Sequence, residues 1–126
     1  MKKIPKISDA EWQVMKVLWE HAPVTSSEIV ERLKPLTHWS TTTIYTLIAR
    51  LAKKKAVEID SGSSPYRCSP LISREEIRRE ESNSFLKKVY DGSLNLMLTN
   101  MVDNGRLSDQ EIEELKKILD GSKDRR

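Results

Sequence analysis

Apolar residues along this chain keep a helical rhythm through most of its length. Ile44, Leu47, Ile48 and Leu51 fall at i, i+3, i+4 and i+7, which places them on one face of a helix. Upstream, Val14, Val17 and Leu18 mark a first helix over about Asp9–Glu20, and a second is expected from about Ser26 to Leu33, with Pro35 stopping it. The rhythm then changes. Val57-Glu58-Ile59 alternates as a strand, Ser61-Gly62-Ser63-Ser64-Pro65 reads as a turn, and Tyr66-Arg67-Cys68 is the returning strand. After Pro70 the pattern is wholly helical: Arg74–Tyr90, a break at Asp91-Gly92, Leu94–Val102, a break at Asn104-Gly105, and Asp109–Leu119.

Capping chemistry sharpens the helix starts. Ser8 with Glu11, Thr25 with Glu28, Ser73 with Glu76 and Ser108 with Glu111 are S/T-x-x-E boxes, in which a hydroxyl and a carboxylate satisfy orphan backbone N–H groups reciprocally. Each is flanked by an apolar staple pair: Ile7/Trp12, Val24/Ile29, Ile72/Ile77 and Leu107/Ile112. The third helix starts at Ser40, stapled by Trp39 and Ile44, but has Thr43 where the others have Glu. Three helices followed by a hairpin predict a mainly α fold with a small β-hairpin wing: a winged helix-turn-helix over residues 1–72, then a helical domain over 73–126.

Charge refines this picture. The chain has 126 residues, 37% hydrophobic and 33% charged, with a net charge of +3. Residues 1–72 carry 11 Lys and Arg against 7 Asp and Glu, whereas 73–126 carry 11 against 12. From Arg32 to Val57 there is no acidic residue, while Arg32, Lys34, Arg50, Lys53, Lys54 and Lys55 supply six positive charges, a window suited to a polyanion. The polar face of the third helix holds Thr42, Thr43, Thr46, Arg50 and Lys53. Hydroxyls can bond phosphates or base edges, and an Arg fork can bond guanine O6 and N7 together. A Glu at the position of Thr43 would repel a phosphate from the helix N-terminus, which gives the incomplete cap a physical reason. An isolated lysine run is usually a solvated face; this one ends a helix that a hairpin bearing Arg67 follows. Trp39 suits either stacking on the sugar-phosphate backbone or packing opposite Ile44.

Several function classes find no support. His21 and His38 have no partner at ligand spacing, so no metal or cofactor is expected, and the chain lacks nucleophile-elbow, zinc-protease and phosphate-loop motifs. A non-enzyme is the expectation. Glu75-Glu76 and Glu80-Glu81 around Arg78-Arg79 read as a solvated charge lattice. Cys68 alone makes no intramolecular disulfide, no apolar stretch reaches a membrane span, and Met-Lys-Lys at the start is followed by Pro5, Lys6, Ser8 and Asp9 instead of an apolar run. The expectation is a cytoplasmic protein without membrane insertion. The 73–126 segment carries Phe85, Val89, Leu94, Met97, Leu98, Met101, Leu115, Ile118 and Leu119, more apolar surface than so small a piece buries alone, which predicts pairing with a second copy.

One set of segments spans nearly the whole chain: Ile4-Pro5-Lys6-Ile7-Ser8-Asp9-Ala10-Glu11, Val14-Met15-Lys16-Val17-Leu18-Trp19, Trp39-Ser40 leading Thr43-Ile44, Arg50-Leu51, Ser84-Phe85-Leu86, Ser93-Leu94-Asn95 through Asn100, and Leu107-Ser108. In these segments lies a resemblance to the penicillinase repressor family, bacterial repressors of β-lactamase and methicillin-resistance genes. It implies a homodimer bound to a palindromic, double-stranded operator until a membrane-bound, β-lactam-sensing metalloprotease triggers cleavage. It also places DNA contacts on Trp39, Thr41, Thr42, Thr43, Thr46 and Arg50, and the cleaved bond between Asn100 and Met101. Lys53, Lys54 and Arg67 join the expected DNA-facing set from their charge and position. Two departures stand out: Lys55 where the family often has Gly, with strain of about 1 kcal/mol expected in a left-handed turn, and Met101 where Asn-Phe is typical. The cysteine cluster of copper-responsive relatives is missing, which speaks against a copper switch. Two rival readings are a winged-helix module that binds another protein and a regulator gated by a small ligand or through the Cys68 thiol.

Overall fold

The computed structural model describes residues 3–125; Met1 and Lys2 of the Met-Lys-Lys start and Arg126 lie outside the described residues. The chain divides into two compact units, residues 1–81 and 82–126. In the first, α1 (Asp9–His21), α2 (Ser26–Thr37) and α3 (Thr41–Lys53) join a three-stranded antiparallel sheet ordered β1-β3-β2, with β1 Val24–Thr25, β2 Val57–Asp60 and β3 Arg67–Pro70. β3 is central: Cys68 faces Val24 on one side and Ile59 on the other. Next come α4 (Arg74–Tyr90), α5 (Leu94–Asp103) and α6 (Asp109–Asp124).

Local signals placed most of these elements. At Ser8, Ser73 and Ser108 both halves of the box close, with hydroxyl contacts of 3.1 Å to the N–H of Glu11, Glu76 and Glu111. Thr25 accepts from the Glu28 N–H at 3.2 Å. At Ser40 a hydroxyl replaces the missing carboxylate: Ser40 Oγ accepts from the Thr43 N–H at 3.1 Å and lies 3.0 Å from Thr43 Oγ1.

The structure departs from the sequence reading at the end of α2 and in the sheet. α2 does not stop before Pro35 but runs to Thr37. Pro35 removes only the donor that would reach back to Glu31, both residues are solvent-exposed, and Thr37 Oγ1 closes the last turn onto Leu33 O at 2.8 Å. β1 was not foreseen, because two residues have no readable period and its partner lies more than 40 positions away. The first compact unit takes in residues 1–81, with Ile77 of α4 fully buried in its core.

That core gathers Val14, Met15 and Leu18 of α1, Ile29 and Leu33 of α2, and Ile44 and Leu51 of α3, with Val57, Cys68 and Ile72 from around the sheet. Full burial of such side chains stabilises by roughly 1.5–3 kcal/mol each, enough to hold α3 by its whole inner face. Trp19 closes one edge, donating its Nε1–H to Ile72 O at 2.9 Å, packing edge-on to Trp12, with the Arg74 guanidinium 5.2 Å from its ring centre. After α3 the chain turns through Lys55 at φ 64°, left-handed as the resemblance implied, and Ala56 N–H reaches Leu51 O at 2.9 Å. In the second unit, by contrast, no described residue is buried.

Candidate nucleic-acid interface

α3 owes its position to one buried stripe, Ile44, Leu47, Ile48 and Leu51. With 3.6 residues per turn, the opposite stripe must be Thr42, Thr46, Ala49 and Lys53, all exposed, with Thr43 and Arg50 beside it, also exposed. Thr41 is half-buried at the helix start. Arg50 and Lys53 hold no ion pair with the described residues, so both cations are open to an incoming anion. No acidic side chain occupies the first turn. The N-terminal N–H groups of α3 and its cationic end are thus presented along one outward edge.

The turn leading into α3 passes through His38 in the left-handed conformation, φ 61°, which ends α2 by donating its N–H to Lys34 O at 2.9 Å. Trp39 follows, half-buried against the core, its backbone N–H on Thr37 Oγ1 at 3.2 Å. Of its two readings, the packing role is therefore present in the free protein. Arg67 is exposed at the start of β3, opposite Asp60 on β2. The loop between the strands is held by Gly62 N–H on Asp60 Oδ1 at 2.8 Å and by Ser63 Oγ bonded to Asp60 O and Pro65 O.

Lys54 behaves differently from Lys53. Its Nζ makes an ion pair with Glu11 Oε1 and donates to Lys6 O at 2.8 Å, which ties the end of α3 to the segment before α1. Glu11 is 2% exposed and its Oε2 has no hydrogen-bond partner among the described residues. Burial pushes the Glu11 carboxyl up, but the Lys54 ammonium and the Ser8 backbone and hydroxyl donors more than offset this, and the net shift is downward. The same Glu caps α1 and anchors α3. No sequence period could reveal that, since 43 residues separate the partners. Sequence reasoning also passed over Ala49, though plotting the helix from its buried stripe would have placed it at the centre of the outer face.

Cys68 is fully buried, and burial raises its thiol above its usual value, opposed only by a weak contact to Ser26 Oγ at 3.9 Å. A thiol held protonated and out of solvent lacks the reactivity a redox gate needs.

A short helix-turn-helix whose second helix shows an uncharged-to-cationic outer face, followed by an antiparallel hairpin, defines a winged-helix protein of the DNA-binding class. The penicillinase repressor family model matches residues 7–121, and the chain belongs to that family, whose members are transcriptional repressors and not enzymes. It is 40% identical to the penicillinase repressor of Bacillus licheniformis over 126 residues, covering 100% of this chain and 98% of that one. Identity to the methicillin resistance regulatory protein MecI of Staphylococcus aureus (strain N315) is 36%, over 93% of this chain and 95% of that one. Among solved structures, the B. licheniformis BlaI monomeric form in complex with the blaP half-operator superposes with a TM-score of 0.54 at 39% identity. The match covers 60% of this chain and 93% of that one.

Proposed function

We propose that this repressor binds a palindromic operator as a homodimer in the cytoplasm and is relieved by proteolysis at Asn100–Met101. The single observation that carries DNA binding is the outer face of α3, where threonines and cations without an ion pair among the described residues are exposed with no carboxylate among them. α3 enters the major groove with Thr42, Thr43 and Thr46 against phosphate or base edges and Arg50 on a base. Lys53, Thr41 and the N-terminal edge carrying Trp39 meet backbone, and Arg67 on the wing reaches the flanking phosphates. Complexation of the related BlaI monomeric form with a half-operator supports one half-site per protomer.

Pairing rests on the second unit. Phe85, Val89, Leu94, Ile118 and Leu119 are each about half exposed or more, and Met97, Leu98, Met101 and Leu115 are only half-buried. Exposed apolar surface of this density in so small a unit supports a helical dimerisation domain, nominally 73–126, whose core is completed by a second copy. Likeness to the penicillinase repressor and MecI supports β-lactamase or related resistance genes as targets, and a membrane-bound sensor metalloprotease as the trigger. Selecting bound fragments from random DNA tests the whole reading: two inverted copies of one motif are expected, and a set with no shared motif would overturn it.

A further inference from the structure

The outer stripe of α3 is not uniformly polar. Thr46 Oγ1 donates its proton to Thr42 O at 2.9 Å, turning the hydroxyl back onto the helix. Beyond its acceptor lone pairs, Thr46 then offers DNA its methyl group. Ala49, three residues on and therefore on the same face, offers a methyl and nothing else, and it is exposed. Between a hydroxyl at Thr42 and cations at Arg50 and Lys53 lies a short apolar strip, one turn long, in the middle of a surface otherwise suited to hydrogen bonding. Helix propensity alone favours Ala at an exposed position, but on a face that enters the major groove its methyl also finds a partner. The one apolar feature of that groove is the C5 methyl of thymine, and small aliphatic groups are what meet it.

We propose that Ala49, with Thr46 beside it, reads the C5 methyl of a thymine close to the base pair that Arg50 contacts, so that Ala49 is a specificity-determining residue. This rests on α3 being the DNA-reading helix. It adds an apolar element to a contact set otherwise made of hydroxyls and cations.

Replacing thymine by deoxyuridine removes only the methyl and leaves pairing intact, so the test substitutes each thymine of the selected half-site in turn, using the full-length protein. At one thymine the wild type should bind about three- to fivefold more weakly, the scale of one buried methyl. Ala49→Gly should lose that difference, binding both DNAs alike, while Ala49→Ser, which disturbs the helix less, should reduce it. Far-UV circular dichroism of each variant checks that α3 persists. A wild type indifferent to deoxyuridine at every position would overturn the proposal, as would variants that keep the full difference; in the latter case Ala49 serves only to let the backbone approach closely. If a motif is selected and Arg50→Ala weakens it, yet no thymine methyl matters, this inference fails alone. If no motif is selected at all, the DNA reading of α3 fails with it.

Discussion

A guanidinium on an exposed helix face can meet DNA as a forked donor to a base or as a counter-charge to phosphate, and the two differ in sequence dependence. Arg50 is the only forked donor on α3 and has no ion-pair partner among the described residues to give up. Arg50→Ala should therefore cost about 1–3 kcal/mol on the selected site and much less on random DNA. Equal losses in a binding titration on both would make it a phosphate contact. Glu11 works at the same scale but within the fold. Its carboxyl lies below the usual value of 4.5, so its contribution to stability is present above that value and fades as pH falls through the lower, folded one. Urea unfolding of the wild type and of Glu11→Gln should show a gap at pH 7 that closes as the pH falls below 4.5. A gap that does not depend on pH would mean the charge of Glu11 is immaterial. At Lys55 the left-handed backbone makes Lys55→Gly a stabilising change, by about 0.5–1 kcal/mol, readable as a raised melting temperature.

At the level of elements, adjacent lysines at the end of α3 have separate tasks. Lys53 lies on the outer stripe, whereas Lys54 is held by Glu11 and the Lys6 carbonyl. Lys53→Gln should flatten the log-affinity against log-salt slope by about 0.9, one phosphate contact, with stability unchanged. Lys54→Gln should leave the slope alone and lower unfolding stability by about 1–3 kcal/mol, because it leaves one oxygen of a buried carboxylate without its donor. The reverse pattern would return Lys54 to the DNA. The contrast also shows what a sequence can disclose. Helix starts at Ser8, Ser40, Ser73 and Ser108 were legible because a cap is decided by residues three apart, and the inner face of α3 because its period is local. β1, the run of α2 through Pro35 and the tie from Lys54 to Glu11 were not, since each depends on a partner or environment that only the folded chain supplies. On α3 the hydroxyls and Arg50 were visible by chemical type, whereas Ala49 has no conspicuous chemistry and became a candidate only by position.

For the molecule as a whole, the relation between pairing and binding decides what a cut at Asn100–Met101 does. The bond lies inside α5, and severing it would detach residues 101–126, with Leu115, Ile118 and Leu119, from the proposed pairing surface. Two tethered modules share a palindrome at an effective concentration that reaches millimolar, so loss of the tether should weaken operator binding by about 10²–10⁴ with each α3 intact. Inserting a foreign protease site there, cutting the purified protein, and measuring solution mass and operator affinity checks this; a cut protein that remains dimeric and binds undiminished would refute it. A unit without a core of its own has a further consequence for the cell. If its core is completed only by a second copy, the number of chains present becomes a term in its folding equilibrium through mass action. Under that reading, dilution during growth would act in the same direction as the proposed proteolysis, and the gene's own output would set a threshold of abundance below which single chains, their C-terminal helices unsupported, replace the paired form.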